Sequence, residues 1–327
     1  MKKTSIRSTG LRAAAAVALF AASAGCAGQA AGGSTEKNTV ILTNWFAQAE
    51  QGGYWQAMAE QPAKGDGVTL NVKQGGPGIQ TIPQVAAGQA AFGVANADEV
   101  LVARKNGLPI VAVAAGFDTN LQCMMFHKAA GIKTFKDLNG HTVARVPSPY
   151  WDFLKHNFGL NRVKEINLNG SLADYKRQPG FVQQCFVTSE PYTAQKEGVK
   201  DFAMLSVAKD GGYNPYGNLL FTTERVIKEN PDLVKKVVAA SVQGWKNFSV
   251  DPGKAKAAVQ KANPDTVPEA FDFGAATIKE GGYLGAEPGS MTDERWKTLR
   301  DQLGSFGAVP KDFDYGKAFT TKYLPNG

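Results

Sequence analysis

From residue 38 onward, short apolar runs rich in β-branched residues alternate with stretches of helical spacing. The runs at 39–44, 68–73, 91–95 and 110–114 read as strands; those at 53–60, 81–87 and 98–106 read as helices, each closed by a nearby Gly or Pro. Such alternation predicts a parallel sheet covered by helices. The pattern then restarts, with strands at 122–127, 141–146, 163–168, 182–188 and 202–207 and helices at 134–138, 150–158 and 191–196. After Thr223 the chain turns mostly helical. Thr223 caps a helix to 228, and 232–248 carries Leu233, Val234, Val237, Val238, Val242 and Trp245 at helical spacing. Asp251-Pro252 begins another helix, and 291–303 forms one more. No repeat and no low-complexity linker separates the two α/β units, which predicts lobes that the chain crosses more than once.

The first 26 residues have a different character. Lys2, Lys3, Arg7 and Arg12 precede an apolar run over 13–22, and small residues lead to Cys26. A run of this length is too short for a bilayer, which needs about 20 residues. Basic head, short apolar middle and small residues mark an export signal. Ser23-Ala24-Gly25-Cys26 resembles the lipobox of bacterial lipoproteins, with Ser23 where Leu is usual. The resemblance implies a signal over 1–26 and lipidation of Cys26. The alternative is an ordinary signal cut near Ala27 or Ala31. Residues 27–37 are small and polar, as in a flexible tether. Cys123 and Cys185 remain, either as a disulfide or as two buried thiols, and neither has metal-site spacing.

Composition narrows the function classes. With 43% hydrophobic and 20% charged residues the chain is globular. The net charge of +7 overstates its basicity, because four of the 36 basic residues lie in the first twelve positions, leaving 32 against 29 acidic ones. That balance argues against nucleic acid as a partner.

Several segments carry a resemblance: Thr43-Asn44-Trp45-Phe46 with Glu50 and Gly52-Gly53-Tyr54; Gly75-Gly76-Pro77; the run 87–93; Thr188-Ser189-Glu190-Pro191-Tyr192; and Asn230-Pro231-Asp232. In order and spacing over 38–262 they resemble substrate-binding proteins of ABC importers related to fungal thiamine-pyrimidine synthases. That superfamily also holds binders of nitrate, alkanesulfonates and taurine. The resemblance implies a two-lobed type II periplasmic-binding-protein fold, each lobe a mainly parallel α/β sheet. Lobe 1 would comprise 38–120 and 222–327 and lobe 2 127–215, with hinge crossings at 121–126 and 216–221. It also implies a small-molecule solute in the interlobe cleft, closure by hinge motion, and permease and ATPase subunits as partners. The protein would be exported and held by its lipid anchor on the outer face of the cell membrane.

Cleft residues are expected at strand ends. Trp45 is a candidate to stack on a flat ligand, with Asn44 and Glu50 supplying hydrogen bonds. Tyr54 is a candidate on the next helix, Gly76 for close backbone approach, and Asn96 after the third strand, with Asp98 as that helix's N-cap. In lobe 2, Ser148 begins a helix, Tyr150 or Trp151 would form a second stacking wall, and Glu190 would accept hydrogen bonds from ligand donors. Tyr213 stands near the return crossing. Each aromatic has a core alternative. Trp, Tyr, Asn and Glu predominate, and Arg145 is the one obvious cation. That balance favours a neutral or cationic flat heterocycle, such as a thiamine pyrimidine precursor or a riboflavin-like ring, over a small oxyanion such as nitrate, sulfonate, taurine or bicarbonate.

The third reading, a pyrimidine-biosynthesis enzyme, lacks its residues. Ala49–Gln56 holds no Lys or His, and Asn214-Pro215-Tyr216-Gly217-Asn218 stands where the fungal enzymes' cysteine cluster would fall. His127, His141 and His156 have no metal-triad spacing, and no nucleophile elbow, P-loop or dinucleotide fingerprint occurs. No catalytic residue, cofactor or metal is expected. Delivery of solute to a signalling receptor is not separated from transport by any residue of the chain.

Overall fold

The computed structural model describes residues 37–76 and 78–325. The expected signal, the lipidation site Cys26, the tether through residue 36 and Pro77 lie outside the described residues. Ten strands form two five-stranded sheets. β1 (Lys37–Leu42), β2 (Val68–Lys73), β3 (Phe92–Ala95), β4 (Ile110–Ala114) and β10 (Leu219–Thr223) make the first, in order β2-β1-β3-β10-β4. β5 (Gln122–His127), β6 (Thr142–Arg145), β7 (Lys164–Asn167), β8 (Phe181–Phe186) and β9 (Phe202–Ser206) make the second, in order β7-β6-β8-β5-β9. In each, four strands run parallel, and the one antiparallel strand, β10 or β5, sits between the third strand and the edge. The predicted alternation is what folds here.

The helices are α1 (Gly52–Glu60), α2 (Thr81–Ala86), α3 (Ala97–Lys105), α4 (Pro149–Phe158), α5 (Ala173–Arg177), α6 (Glu190–Lys196), α7 (Glu224–Glu229), α8 (Pro231–Val250), α9 (Gly253–Ala262), α10 (Pro268–Glu280) and α11 (Asp293–Ser305). Thr223 caps α7 as its position predicted, accepting the Val226 N–H at 3.1 Å. Of the apolar stripe read from the sequence, the long α8 buries Val234, Val237, Val238, Val242 and Trp245 and half-buries Leu233; Phe248 is buried with them. α5 and α10 have no counterpart in the sequence reading, and β10 overlaps the return crossing expected at 216–221. Among the described residues no helix is long and apolar enough to cross a membrane.

Glycine fixes how α1 meets α8. A Cβ on Gly52 would lie 2.1 Å from the Phe248 ring, and one on Gly53 2.0 Å from that of Trp245. Side chains at these two positions would push α1 off α8, so the turn that α1 follows is seated by this contact.

The hinge crossings expected at 121–126 and 216–221 are displaced. Residues 122–126 are already inside β5, paired on both sides by β8 and β9, and 219–221 are already inside β10. The chain passes between sheets just before each strand, where Phe117 and Gly217 exchange backbone hydrogen bonds of 2.8 and 3.1 Å. Apolar runs favour sheet interior over an exposed crossing. Arg295 of α11 ties the two passages together. Its guanidinium donates to the carbonyls of Asp118 and Asn214, pairs with the Asp118 carboxylate, and lies 3.8 Å over the Tyr216 ring.

Cys123 and Cys185 face each other across β5 and β8 and form a disulfide. The two residues stand opposite in register, with Cα atoms 4.8 Å apart, which puts both sulfurs within bonding reach. This decides between the two alternatives the sequence left open.

Candidate functional site

A cleft of about 680 Å³ opens between the sheets, at the carboxyl ends of their parallel strands. β1 leads into it through a turn whose backbone is pinned. Thr43 Oγ1 and the Gly75 N–H both donate to the Trp45 carbonyl, at 2.8 and 3.0 Å, and Gln74 Oε1 accepts the Ala47 N–H at 3.0 Å. Asn263 and Thr266, beyond α9, donate to the Ala47 carbonyl at 3.2 and 3.0 Å. The Trp45 ring is thus carried half-buried on a fixed backbone at the cleft wall.

Asn44, Trp45, Glu50, Gly76, Asn96, Ser148 and Glu190 all line this cleft. Gly76 has φ +152° and stands beside the Phe46 ring, so a side chain there would be strained and crowded. Tyr54, Tyr150 and Tyr213 do not line it. Each ring is buried, and each hydroxyl is spent inside the protein: Tyr54 on the Asn218 carbonyl at 2.6 Å, Tyr150 on Gln184 Oε1 at 2.7 Å, Tyr213 on Asp98 Oδ2 at 2.9 Å. Trp151 is buried as well. The expected second stacking wall of Tyr150 or Trp151 is therefore absent. Phe186 and Leu168 face the cleft from that lobe instead.

The N-cap assignment also changes. Asn96, not Asp98, stands at the N-cap of α3, and its N–H donates to Glu99 Oε2 at 2.8 Å. Asp98 points inward, where its Oδ2 accepts the Tyr213 hydroxyl and its Oδ1 the Glu99 N–H, both at 2.9 Å. Asn96 serves the helix and the cleft together.

The cleft is acidic. Glu50 is buried, and its carboxylate takes the hydroxyl of Thr188 from the other lobe. Burial pushes its pKa up to about 7, against the hydroxyl's opposing effect. Glu99 is raised to about 7 by burial and then by the neighbouring Asp98, itself raised to about 6 by burial. Glu190 is raised by burial although Ser189 Oγ and the Phe186 N–H donate to it at 2.6 and 2.7 Å. Against these, Arg145 is the one cation on the wall, and Glu165 already accepts from its Nε at 3.0 Å. An anion entering here meets no cation on the described wall that is not already paired.

Sequence reasoning missed the amides. Gln48, Gln51, Gln122, Gln184, Asn167 and Asn218 line the cleft. The available signal was Gln183-Gln184 within an otherwise apolar strand, since a buried polar residue needs a stated partner. Among the described residues no group of His, Cys, Asp and Glu could hold a metal ion.

Two layered sheets with this strand order, crossed twice and clefted between, define the class: the type II periplasmic-binding-protein fold. Within it, the chain belongs to the NMT1/THI5-like family, whose model matches residues 48–255. The riboflavin-binding protein RibY of Chloroflexus aurantiacus is 22% identical over 257 residues, covering 72% of this chain and 71% of that protein. Among solved structures, the aliphatic sulphonate-binding protein SsuA of Escherichia coli superposes with a TM-score of 0.66 at 15% identity, over 86% of this chain and 91% of that one. SsuA of Xanthomonas axonopodis pv. citri, bound to MOPS, gives 0.64 at 13% identity, over 88% and 97%.

Proposed function

We propose that the protein is the solute-binding component of an ABC importer and holds a neutral or cationic flat heterocycle in the cleft, presenting it without chemical change. The observation that carries this reading is the composition of the wall: a half-buried Trp45 on a pinned backbone, beside Glu50, Glu99 and Glu190, with Arg145 already paired. An indole offers a flat apolar face to a ring, and carboxyls and amides offer partners to ring donors. The volume suits a small molecule. The family supports a solute-binding role, and RibY supports a ring as solute. Residues 37–114 with 219–325, and 122–206, act as the two lobes that close on it, pivoting where Phe117 meets Gly217. The N-terminal segment directs export and anchors the protein through Cys26 at the outer face of the membrane, where the permease and ATPase subunits are its partners.

Thermal unfolding against a panel tests the ligand class. The panel holds hydroxymethylpyrimidine, formylaminopyrimidine, thiamine, riboflavin, taurine, alkanesulfonates, nitrate and bicarbonate. A ligand at 100 times its Kd adds about 2.7 kcal/mol, a midpoint shift of several degrees. The expected shift is with a ring compound. A shift with the oxyanions alone overturns the reading and moves the site to Arg145 and Ser148.

A further inference from the structure

Two relays of hydrogen bonds, one in each lobe, fix the orientation of two glutamine amides at the cleft. In the first lobe the relay starts at the Glu50 carbonyl, which can only accept. Asn218 Nδ2 donates to it at 2.8 Å, so Asn218 Oδ1 is turned to Asn44, whose Nδ2 donates to it at 3.1 Å. Asn44 Oδ1 is then left to accept from Gln51 Nε2 at 3.5 Å. Gln51 Oε1 ends the relay buried and with no partner, in a residue 2% exposed on the cleft wall. In the second lobe the relay starts at the Val146 N–H, which can only donate. Gln184 Oε1 accepts it at 2.7 Å and also accepts the Tyr150 hydroxyl at 2.7 Å. Turning that amide over would set its NH2 against the Val146 N–H. Gln184, 4% exposed, therefore keeps Nε2 as a donor with no protein partner on the opposite wall.

We propose that Gln51 and Gln184 read the hydrogen-bonding edge of the solute, one as a fixed acceptor and the other as a fixed donor. The ring must then bring a donor to the first lobe and an acceptor to the second. A cyclic imide, a lactam and an aminopyrimidine all carry that adjacent pair; nitrate or a simple alkanesulfonate has no donor to give, and taurine's ammonium is not adjacent to its acceptor oxygens. Asn218 and Tyr150 are positioning residues, acting through Gln51 and Gln184 without touching the solute. The proposal rests on the heterocycle reading above and narrows it. It also accounts for the buried Gln51 oxygen, an unmade bond that closure on such a ring would satisfy.

Calorimetry with matched ring pairs tests it on the full chain. The pairs are riboflavin with 3-methylriboflavin, and hydroxymethylpyrimidine with its 4-dimethylamino form, using whichever parent ring binds. Methylation removes the donor and keeps the flat face. The wild type is expected to prefer the parent by about tenfold, the worth of a buried hydrogen bond left unmade. Gln51→Leu should bring that preference within twofold, and Gln51→Glu, which keeps an acceptor, should retain it. Gln184→Glu should weaken the parent about tenfold, and Tyr150→Phe several-fold. Each preference is a ratio measured on one variant, so a general loss of stability does not imitate it. If the parent ring binds but the preference survives Gln51→Leu and affinity survives Gln184→Glu, the glutamine assignment is wrong and the heterocycle reading stands. If no ring binds the wild type, both fall.

Discussion

Replacing Glu50 by glutamine should change the pH dependence of stability more than stability itself. The carboxyl is 2% exposed, and burial lifts its pKa from 4.5 to about 7. Below pH 4.5 folded and unfolded chains both hold the proton, and the full stability is present. Between 4.5 and 7 the folded chain keeps a proton that the unfolded chain releases, so stability falls as pH rises and is lost above the folded pKa. At about 1.4 kcal/mol per pH unit, the interval amounts to about 3 kcal/mol. Asp98, Glu99 and Glu190 are raised too and tilt the profile the same way, so the informative quantity is the difference between variant and wild type. Glu50→Gln keeps an oxygen for the Thr188 hydroxyl and cannot ionise. Urea unfolding at pH 5, 6, 7 and 8 should show the variant gaining on the wild type by about 3 kcal/mol across the series. A difference that stays flat with pH would refute the buried, proton-holding carboxyl.

Two further predictions concern the frame around the site. Gly53→Ala places a methyl 2.0 Å from a Trp245 ring already held edge-on by Tyr54, Phe117 and Phe248. Overpacking of this kind costs about 1–3 kcal/mol, and calorimetric unfolding should show the midpoint several degrees lower; an unchanged midpoint contradicts the close α1–α8 contact. Cys123→Ala with Cys185→Ala removes a cross-link spanning 62 residues, expected to cost about 2–4 kcal/mol. Urea unfolding of the double variant and of wild type under dithiothreitol should then agree, and a wild type indifferent to reductant would argue against the bond.

The strand ends were legible because alternation of apolar runs and helical stretches fixes a parallel sheet, and such a sheet puts ligands at its carboxyl edge. Asn44, Trp45, Asn96 and Glu190 fit that rule, and for Asn44, Trp45 and Glu190 the family resemblance points to the same segments. Tyr54, Tyr150 and Tyr213 did not follow. A phenol beside a helix start (Tyr54, Tyr150) or between strands (Tyr213) satisfies itself either by facing a cleft or by burying its ring and spending its hydroxyl on a neighbour, and the neighbours are distant in sequence: Asn218 for Tyr54, Gln184 for Tyr150, Asp98 for Tyr213. The same distance hid Gln51 and Gln184, whose orientations depend on relays through residues up to 174 positions apart. The crossings lie a few residues from where the sequence places them because β5 over 123–126 and β10 over 219–221 are continuous apolar runs, so nothing local marks where each enters its sheet.

The central claim is that a flat ring lies against Trp45 between the lobes, and calorimetric titration of wild type and Trp45→Ala with the ring compound that shifts the unfolding midpoint tests it most directly. Losing the indole face should cost about 1–2 kcal/mol of binding, a Kd roughly tenfold weaker. The other four tryptophans are buried in the core, so none stands in for it. A Kd within twofold of wild type, or heat from taurine and nitrate but from no ring, would contradict the account.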